Sequence, residues 1–254
     1  MSLLTTKNLE FGVGERSLCK GLALSIQAGE CWGVLGPNGS GKTTLLHTLA
    51  GLHPAQEGEI ELAGQPLGIL GRRQIALQLG LMLQDSHDPF PATVEETALI
   101  GRHPHLGRWQ SESNDDRILA REALEQMELG SLTQRQVQTL SGGERRRLAF
   151  ATLLTQNTPL MLLDEPLNHL DLRHQQLLLH AVRDRCSKGH GVMMVLHDPN
   201  QAVSFCDQVL LLHGDASWVS GNAAEIMTPE ILSDLYGCSI GESEFAGRRW
   251  FHPL

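Results

Sequence analysis

Gly36-Pro37-Asn38-Gly39-Ser40-Gly41-Lys42-Thr43-Thr44 is the stretch whose reading decides the fold. It fits the phosphate-loop pattern G-x-x-x-x-G-K-[ST]. The apolar run Cys31-Trp32-Gly33-Val34-Leu35 ahead of it predicts a buried strand, and Leu45-Leu46-His47-Thr48-Leu49-Ala50 behind it predicts the first turns of a helix. Strand, loop and helix in that order are the context the pattern needs. The glycines let backbone N–H groups turn inward around phosphate oxygens. The helix N-terminus adds partial positive charge at the same place. In this reading Lys42 reaches β- and γ-phosphates, and the Thr43 hydroxyl ligates Mg²⁺.

Working outward, residues 1–30 read as short strands, Leu3-Leu4-Thr5-Thr6 and Leu22-Ala23-Leu24-Ser25-Ile26, punctuated by Gly12, Gly14 and Gly29. Phe11 is the one aromatic near a place where a base could stack, and it reads equally well as an ordinary core phenylalanine. Gly58-Glu59-Ile60-Glu61-Leu62-Ala63-Gly64 and Leu79-Gly80-Leu81-Met82-Leu83 read as further strands, the second ending at Gln84. Between about 86 and 157 the character turns helical: Pro89, Pro91 and Pro104 mark loops, Ile118-Leu119, Ala123-Leu124 and Met127 recur at helical spacing, and 144–156 reads as a helix. Leu160-Met161-Leu162-Leu163 and Val192-Met193-Met194-Val195-Leu196 are unbroken apolar runs, as parallel strands buried on both faces require. Leu172 to Val182 reads as the crossover helix between them, and Gln208-Val209-Leu210-Leu211-Leu212 as one more strand. The chain from about 216 to 254 reads as a Gly- and Ser-rich tail without a clear pattern.

A length of 254 residues, 41% of them hydrophobic, supports one large domain with subdomains. The formal net charge of −9 argues against nucleic acid and against electrostatic attachment to anionic lipid. Five dispersed cysteines without a C-x-x-C read as reduced thiols. The opening Met1-Ser2-Leu3-Leu4-Thr5 carries no signal-peptide pattern, and no apolar run approaches the ~18 residues of a membrane helix. A role at a membrane therefore requires a partner chain.

Further motifs follow the phosphate loop in order. Gln84 closes a strand, where its amide reaches Mg²⁺ or an attacking water. Leu140-Ser141-Gly142-Gly143-Glu144 sets a serine and two glycines before a helix, a second anion-binding start. Asp164 and Glu165 end an apolar strand, at the edge where open α/β sheets place their sites; Asp164 holds Mg²⁺ and Glu165 orients or activates water. Asn168-His169-Leu170-Asp171 reads as a turn, and His197 follows its strand at a position to contact a γ-phosphate. Glu144-Arg145-Arg146-Arg147 reads as a solvated helix face. The other eleven histidines show no metal-ligand spacing.

In this order the motifs resemble the ATP-binding-cassette (ABC) ATPases over residues 1–215: phosphate loop, Q-loop glutamine, LSGG signature, Asp-Glu strand end, D-loop and switch histidine. The resemblance implies an α/β fold, a P-loop NTPase (RecA-like) core of about 1–85 and 158–215. It also implies an N-terminal antiparallel β subdomain and an inserted helical signature subdomain at about 86–157. It implies ATP and Mg²⁺ as ligands, with Gly36 to Thr44 of one chain and Ser141, Gly142 and Gly143 of a second enclosing each nucleotide in a homodimer, and with Asp171 among the nucleotide-binding residues. Phe11 would be the base-stacking aromatic, where tyrosine is more usual. Glu144 stands where glutamine is commoner.

Thr93-Val94-Glu95-Glu96-Thr97-Ala98-Leu99-Ile100-Gly101-Arg102-His103-Pro104-His105 resembles the T-V-x-x-x-x-x-x-G-R-x-P-H run of type II bacterial importer ATPases, and His197-Asp198-Pro199-Asn200-Gln201-Ala202 fits the same group. That implies uptake of a metal chelate (iron–siderophore, haem or cobalamin), transmembrane permease subunits seated near Gln84 and residues 85–108, a periplasmic binding protein, and a place on the cytoplasmic face of the inner membrane. The alternatives are a soluble ABC ATPase outside transport, which a single acidic cassette without a coiled-coil insertion disfavours, and an exporter cassette, which the G-R-x-P-H run disfavours.

Overall fold

The computed structural model describes residues 2–14, 16–84, 91–245 and 247–254. Pro89 and the 85–90 part of the expected permease seat lie outside the described residues. In chain order the elements are β1 (Ser2–Val13), β2 (Arg16–Gln27), β3 (Cys31–Leu35), α1 (Lys42–Leu49), β4 (Glu57–Leu62), β5 (Gln65–Pro66), α2 (Arg72–Gln78), β6 (Leu79–Met82), α3 (Val94–Leu99), α4 (Asn114–Gln126), α5 (Gly142–Gln156), β7 (Leu160–Leu163), α6 (Leu172–Ser187), β8 (Gly191–Val195), α7 (Pro199–Phe205), β9 (Gln208–Leu212), β10 (Trp218–Asn222), α8 (Ala223–Ile226), α9 (Pro229–Tyr236), β11 (Ile240–Phe245) and β12 (Arg248–Pro253).

The central sheet runs β10-β9-β3-β8-β7-β6, parallel except for β10. Its strands alternate in which core they feed. Cys31, Met161, Leu163, Val192, Met194, Val209 and Leu211 face the core shared with α4, α5 and α6. Trp32, Val34, Leu160, Leu162, Met193, Val195, Leu210 and Leu212 face the core shared with α1 and the antiparallel sheet. Period-2 alternation between two buried faces is why these runs are apolar apart from Gln208 at the half-buried start of β9.

The second sheet, β2-β1-β4-β5, covers one face. Its first two strands are 12 residues each, longer than the short segments expected from sequence. In β1 the inward residues are Leu4 and Thr6, then Leu9 and Phe11. The parity changes at Asn8, which takes a φ of 48° at a register shift. Gly58 is required opposite this bulge: a Cβ there would stand 2.3 Å from the Asn8 carbonyl oxygen.

Between β6 and β7 the chain leaves the sheet for α3, α4 and α5, which pack on one another. Pro104 lies inside a 3-10 turn, Ile100–His105, rather than in an open loop. The tail after 215 is ordered: β10 extends the sheet, and β11 and β12 form a hairpin whose Phe251 is buried in the helical core.

Candidate functional site

The C-terminal ends of β3, β8, β7 and β6 lie side by side, and each leads into residues of the site. β3 runs into Gly36, β6 into Gln84, β7 into Asp164 and Glu165, and β8 into His197. Strand edges of parallel sheets gather groups in this way because every strand points to the same rim. The cleft they border has a volume of about 650 Å³ and is lined by Asn38, Gly39, Gly41, Lys42, Thr43, Thr44, Gln84, Glu165 and His197.

The loop from Gly36 owes its path to glycine. Gly36, Gly39 and Gly41 have φ of 154°, 78° and 101°. A Cβ on Gly36 would meet the Leu212 carbonyl oxygen at 2.3 Å. Gly41 is the N-cap of α1 and uses no side chain, so the first N–H groups of that helix face the cleft's loop. Lys42 curls back over the loop, its ammonium donating to the Gly36 and Pro37 carbonyls at 2.8 and 2.9 Å. Burial lowers its pKa, which the charges of Glu165 and Asp164 oppose.

Asp164 and Glu165 are neighbours in unlike surroundings. Asp164 is fully buried, and neither carboxylate oxygen has a hydrogen-bond partner among the described residues. Burial raises its pKa, an effect that the nearby Thr43 hydroxyl partly counters. Two orphaned carboxylate oxygens beside a hydroxyl form a donor set that suits a hard, oxygen-seeking cation such as Mg²⁺. Glu165, at φ 48°, turns toward the open cleft. Its carboxylate accepts from Gln84 Nε2 at 3.0 Å and from the Asn168 amide, and lies 2.8 Å from His197 Nε2.

The structure places Ser141, Gly142, Gly143 and Asp171 outside this cleft, on a second surface. Ser141 caps α5 in a reciprocal box with Glu144: the Ser141 N–H donates to the Glu144 carboxylate at 2.7 Å, and the Glu144 N–H to the Ser141 hydroxyl at 3.3 Å. This gives Glu144 a structural task that glutamine would also perform. Gly143 packs against the Asn168–Asp171 turn, where a Cβ would stand 3.1 Å from the His169 carbonyl oxygen. Asp171 caps α6 by accepting the His174 N–H at 2.9 Å.

Two expectations are corrected. Phe11 offers no face to a base: it is fully buried, sharing the inward parity of Leu9, with its ring 3.3 Å from where a Gly41 Cβ would lie. The hairpin tip instead brings Val13 (64% exposed), Arg16 and Leu18 to the cleft, and Arg16 is tethered to the Gly214 carbonyl at 3.2 Å. The Glu144–Arg147 run is not a solvated face either, since Arg146 and Arg147 are buried. Arg146 donates to the carbonyls of Leu83 (2.7 Å), Gln84 (2.8 Å) and Glu165 (2.6 Å) and to that of Asp164. It thereby straps the ends of β6 and β7 together. Arg147 donates to Met127 and Glu128. Sequence reasoning missed Arg146, although it continues an apolar helical stripe with Phe150 and Leu153.

Known proteins resemble this chain in sequence and in fold. The model of the family described as ABC transporter matches residues 19–168. The hemin import ATP-binding protein HmuV of Streptomyces coelicolor is 37% identical over 234 residues, covering 92% of this chain and 83% of the relative. The iron(3+)-hydroxamate import ATP-binding protein FhuC of Bacillus subtilis is 34% identical over 238 residues, covering 93% and 88%. Among solved structures, a metal-chelate type ABC transporter in an inward-facing conformation superposes with a TM-score of 0.87 at 29% identity, covering 100% of this chain and 98% of that one.

Proposed function

Because the chain belongs to the ABC transporter family, we propose that it is the ATP-hydrolysing subunit of a bacterial importer for a metal chelate: an iron–siderophore, haem or cobalamin. One observation above the others supports this. Lys42, Gln84, Glu165 and His197 come from four separate segments and line a single cleft at the end of a parallel sheet. Relatives that share nearly the whole chain are named for hemin and iron-hydroxamate import, and the metal-chelate transporter shares the fold end to end.

In this reading the loop N–H groups and Lys42 hold the β- and γ-phosphates of ATP. Thr43 and Asp164 would hold Mg²⁺, with Gln84 as a further candidate. Bound there, the ion neutralises charge on the phosphate oxygens. Glu165 accepts a hydrogen bond from the attacking water, giving up one of its present partners, Gln84 or His197. The water oxygen bonds to the γ-phosphorus as its proton passes to Glu165, the bond to the β–γ bridging oxygen breaks with its electron pair going to ADP, and Glu165 returns the proton to the departing phosphate or to solvent. His197, 2.8 Å from Glu165, faces the γ-phosphate as it separates.

The Ser141–Gly143 surface serves the nucleotide of a second copy, so the working unit is a homodimer. Its closure moves permease subunits seated in a groove lined by Leu81, Leu83, Thr97, Arg145, Leu148 and Thr152. A periplasmic binding protein supplies the cargo, and the pair of cassettes sits on the cytoplasmic face of the inner membrane. No helix among the described residues is long and apolar enough to cross a membrane.

The test is light scattering of Glu165→Gln with and without Mg·ATP, beside its turnover. A nucleotide-driven shift from monomer to dimer with turnover abolished is expected. A variant that stays monomeric and hydrolyses ATP at the wild-type rate overturns the reading.

A further inference from the structure

Two features play no part in the reaction above: Asn200, in the run that follows His197, and the hairpin β11–β12. They meet in the structure. Asn200 stands in the first turn of α7, three residues after His197. Its amide Nδ2 donates to the Phe251 carbonyl at 3.0 Å, and its Oδ1 accepts the Phe251 N–H at 2.7 Å. The side chain thus pairs with both main-chain groups of one residue, as a neighbouring strand would.

The hairpin is a firm support. Phe251 is 3% exposed and shares a core with Met227, Leu232 and Leu235. Arg249 lies over its ring and donates to the Ala224 and Met227 carbonyls at 2.8 and 2.6 Å. α7 contacts β12, but the segment His197–Pro199 leading into it borders open space on its hairpin side. A cavity of about 500 Å³ opens between it and the hairpin side, where Cys238, Ile240 and His252 form the far wall. The Tyr236 hydroxyl on that wall is buried without a hydrogen-bond partner among the described residues. Packing therefore leaves the switch segment room to shift, and the Asn200 pair supplies the link across the gap.

We propose that Asn200 is a positioning residue: it fastens the segment carrying His197 to the C-terminal hairpin, so the hairpin sets where His197 stands relative to Glu165. This rests on the reading of His197 as a γ-phosphate contact. It also gives the tail a task, because a hairpin remote from the nucleotide loop then acts on turnover.

The test is steady-state ATP hydrolysis by the full chain. Asn200→Ala is expected to lower kcat by about tenfold or more, since small misplacements at a reacting centre cost up to about a hundredfold. The KM for ATP should stay within about twofold, because Asn200 does not line the nucleotide cleft. Arg249→Ala, which loosens the hairpin from its other side, should give a smaller fall of the same kind, and it keeps the test alive should Asn200→Ala fail to fold. The double variant should be no slower than Asn200→Ala alone, as expected of two changes acting through one link. His197→Ala separates the two readings. If it is inactive while Asn200→Ala and Arg249→Ala keep wild-type kcat, or if their effects fall on KM, the positioning role is refuted. If His197→Ala turns over at the wild-type rate, the reading of the switch fails and the clasp falls with it.

Discussion

Arg146→Met keeps an aliphatic stem of similar bulk and deletes the guanidinium that joins two strand ends. In the structure that group donates to main-chain carbonyls on both sides, Leu83 and Gln84 after β6, and Asp164, Glu165 and, at 3.4 Å, Pro166 after β7. A hydrogen bond involving a charge contributes a net ~1.5–3 kcal/mol. A plain sum overstates the loss, because each terminal nitrogen is shared between two acceptors, the Nε contact to Pro166 is long, and Gln84 and Glu165 border the open cleft, where water replaces the donor. The buried part of the strap, at Asp164, and the link to Leu83 are not so easily replaced, which leaves a cost of about 3–4 kcal/mol. Against a total of ~5–15 kcal/mol this is large, and for a chain of this length it lowers Tm by roughly 6–15 °C. Arg146→Lys should lose at least half as much, since an ammonium is a point donor that cannot span both strands. Thermal unfolding followed by circular dichroism reads the first effect. Turnover at a temperature where each variant is folded reads the second, and kcat should fall because Gln84 and Glu165 lose their common tether. An Arg146→Met protein with Tm within about 2 °C of wild type and unchanged kcat refutes the reasoning.

Asp116 caps α4 and pairs with Arg102 Nε at 2.7 Å. The Ser113 hydroxyl and N–H, together with Arg102, hold its carboxyl down to about 2 from an ordinary 3.8. A lowered pKa means that the contribution is complete above pH 3.8 and is lost as pH falls through about 2. Urea unfolding should therefore show a gap between wild type and Asp116→Asn that narrows across that window, and a gap constant with pH would rule out this carboxylate as its source. At the base pocket, Val13→Tyr should tighten ATP about three- to tenfold with no effect on inorganic tripolyphosphate, as aromatic stacking allows. Phe11→Leu should leave the ratio of the two affinities unchanged, and a shift in that ratio would return Phe11 to the base.

The site was legible where chemistry lies in contiguous residues. Gly36–Thr44, Ser141–Gly143 and Asp164–Glu165 each announce a strand end or a helix start in their own few residues, and the unbroken apolar runs announce parallel strands. What failed depends on partners distant in the chain. Whether Phe11 faces a base or the core is not legible locally, because the parity of β1 changes at Asn8, and a bulge at an asparagine leaves no local signature. Arg146 and Arg147 sit in a run of charge that normally faces water, yet they continue the stripes of Phe150 and Leu153, and of Ala151 and Leu154, all buried. Carbonyl groups at strand ends draw them in, and backbone acceptors do not appear in a sequence. The hairpin lacks an alternating apolar pattern, and its docking partner Asn200 is 51 residues from Phe251.

The pair Asp164–Glu165 shows how adjacent, like groups come to differ. A left-handed φ costs ~1–2 kcal/mol for a residue with a side chain, and Glu165 adopts one at 48°. Strain of this kind persists only where the surroundings over-determine it. Here they do: Gln84 from the end of β6, Asn168 from the turn after β7, and His197 from the end of β8 all close on the one carboxylate. The twist separates the two acids, sending Asp164 into the dry space beside Thr43, where its oxygens, unpartnered among the described residues, suit a cation, and Glu165 into the open cleft. A regular strand continuation would also point the two apart, but it would carry Glu165 toward the core face that Leu163 precedes. The strain held in that one φ is thus what lets two adjacent acids face two different surroundings, as the proposed roles of metal ligand and base require.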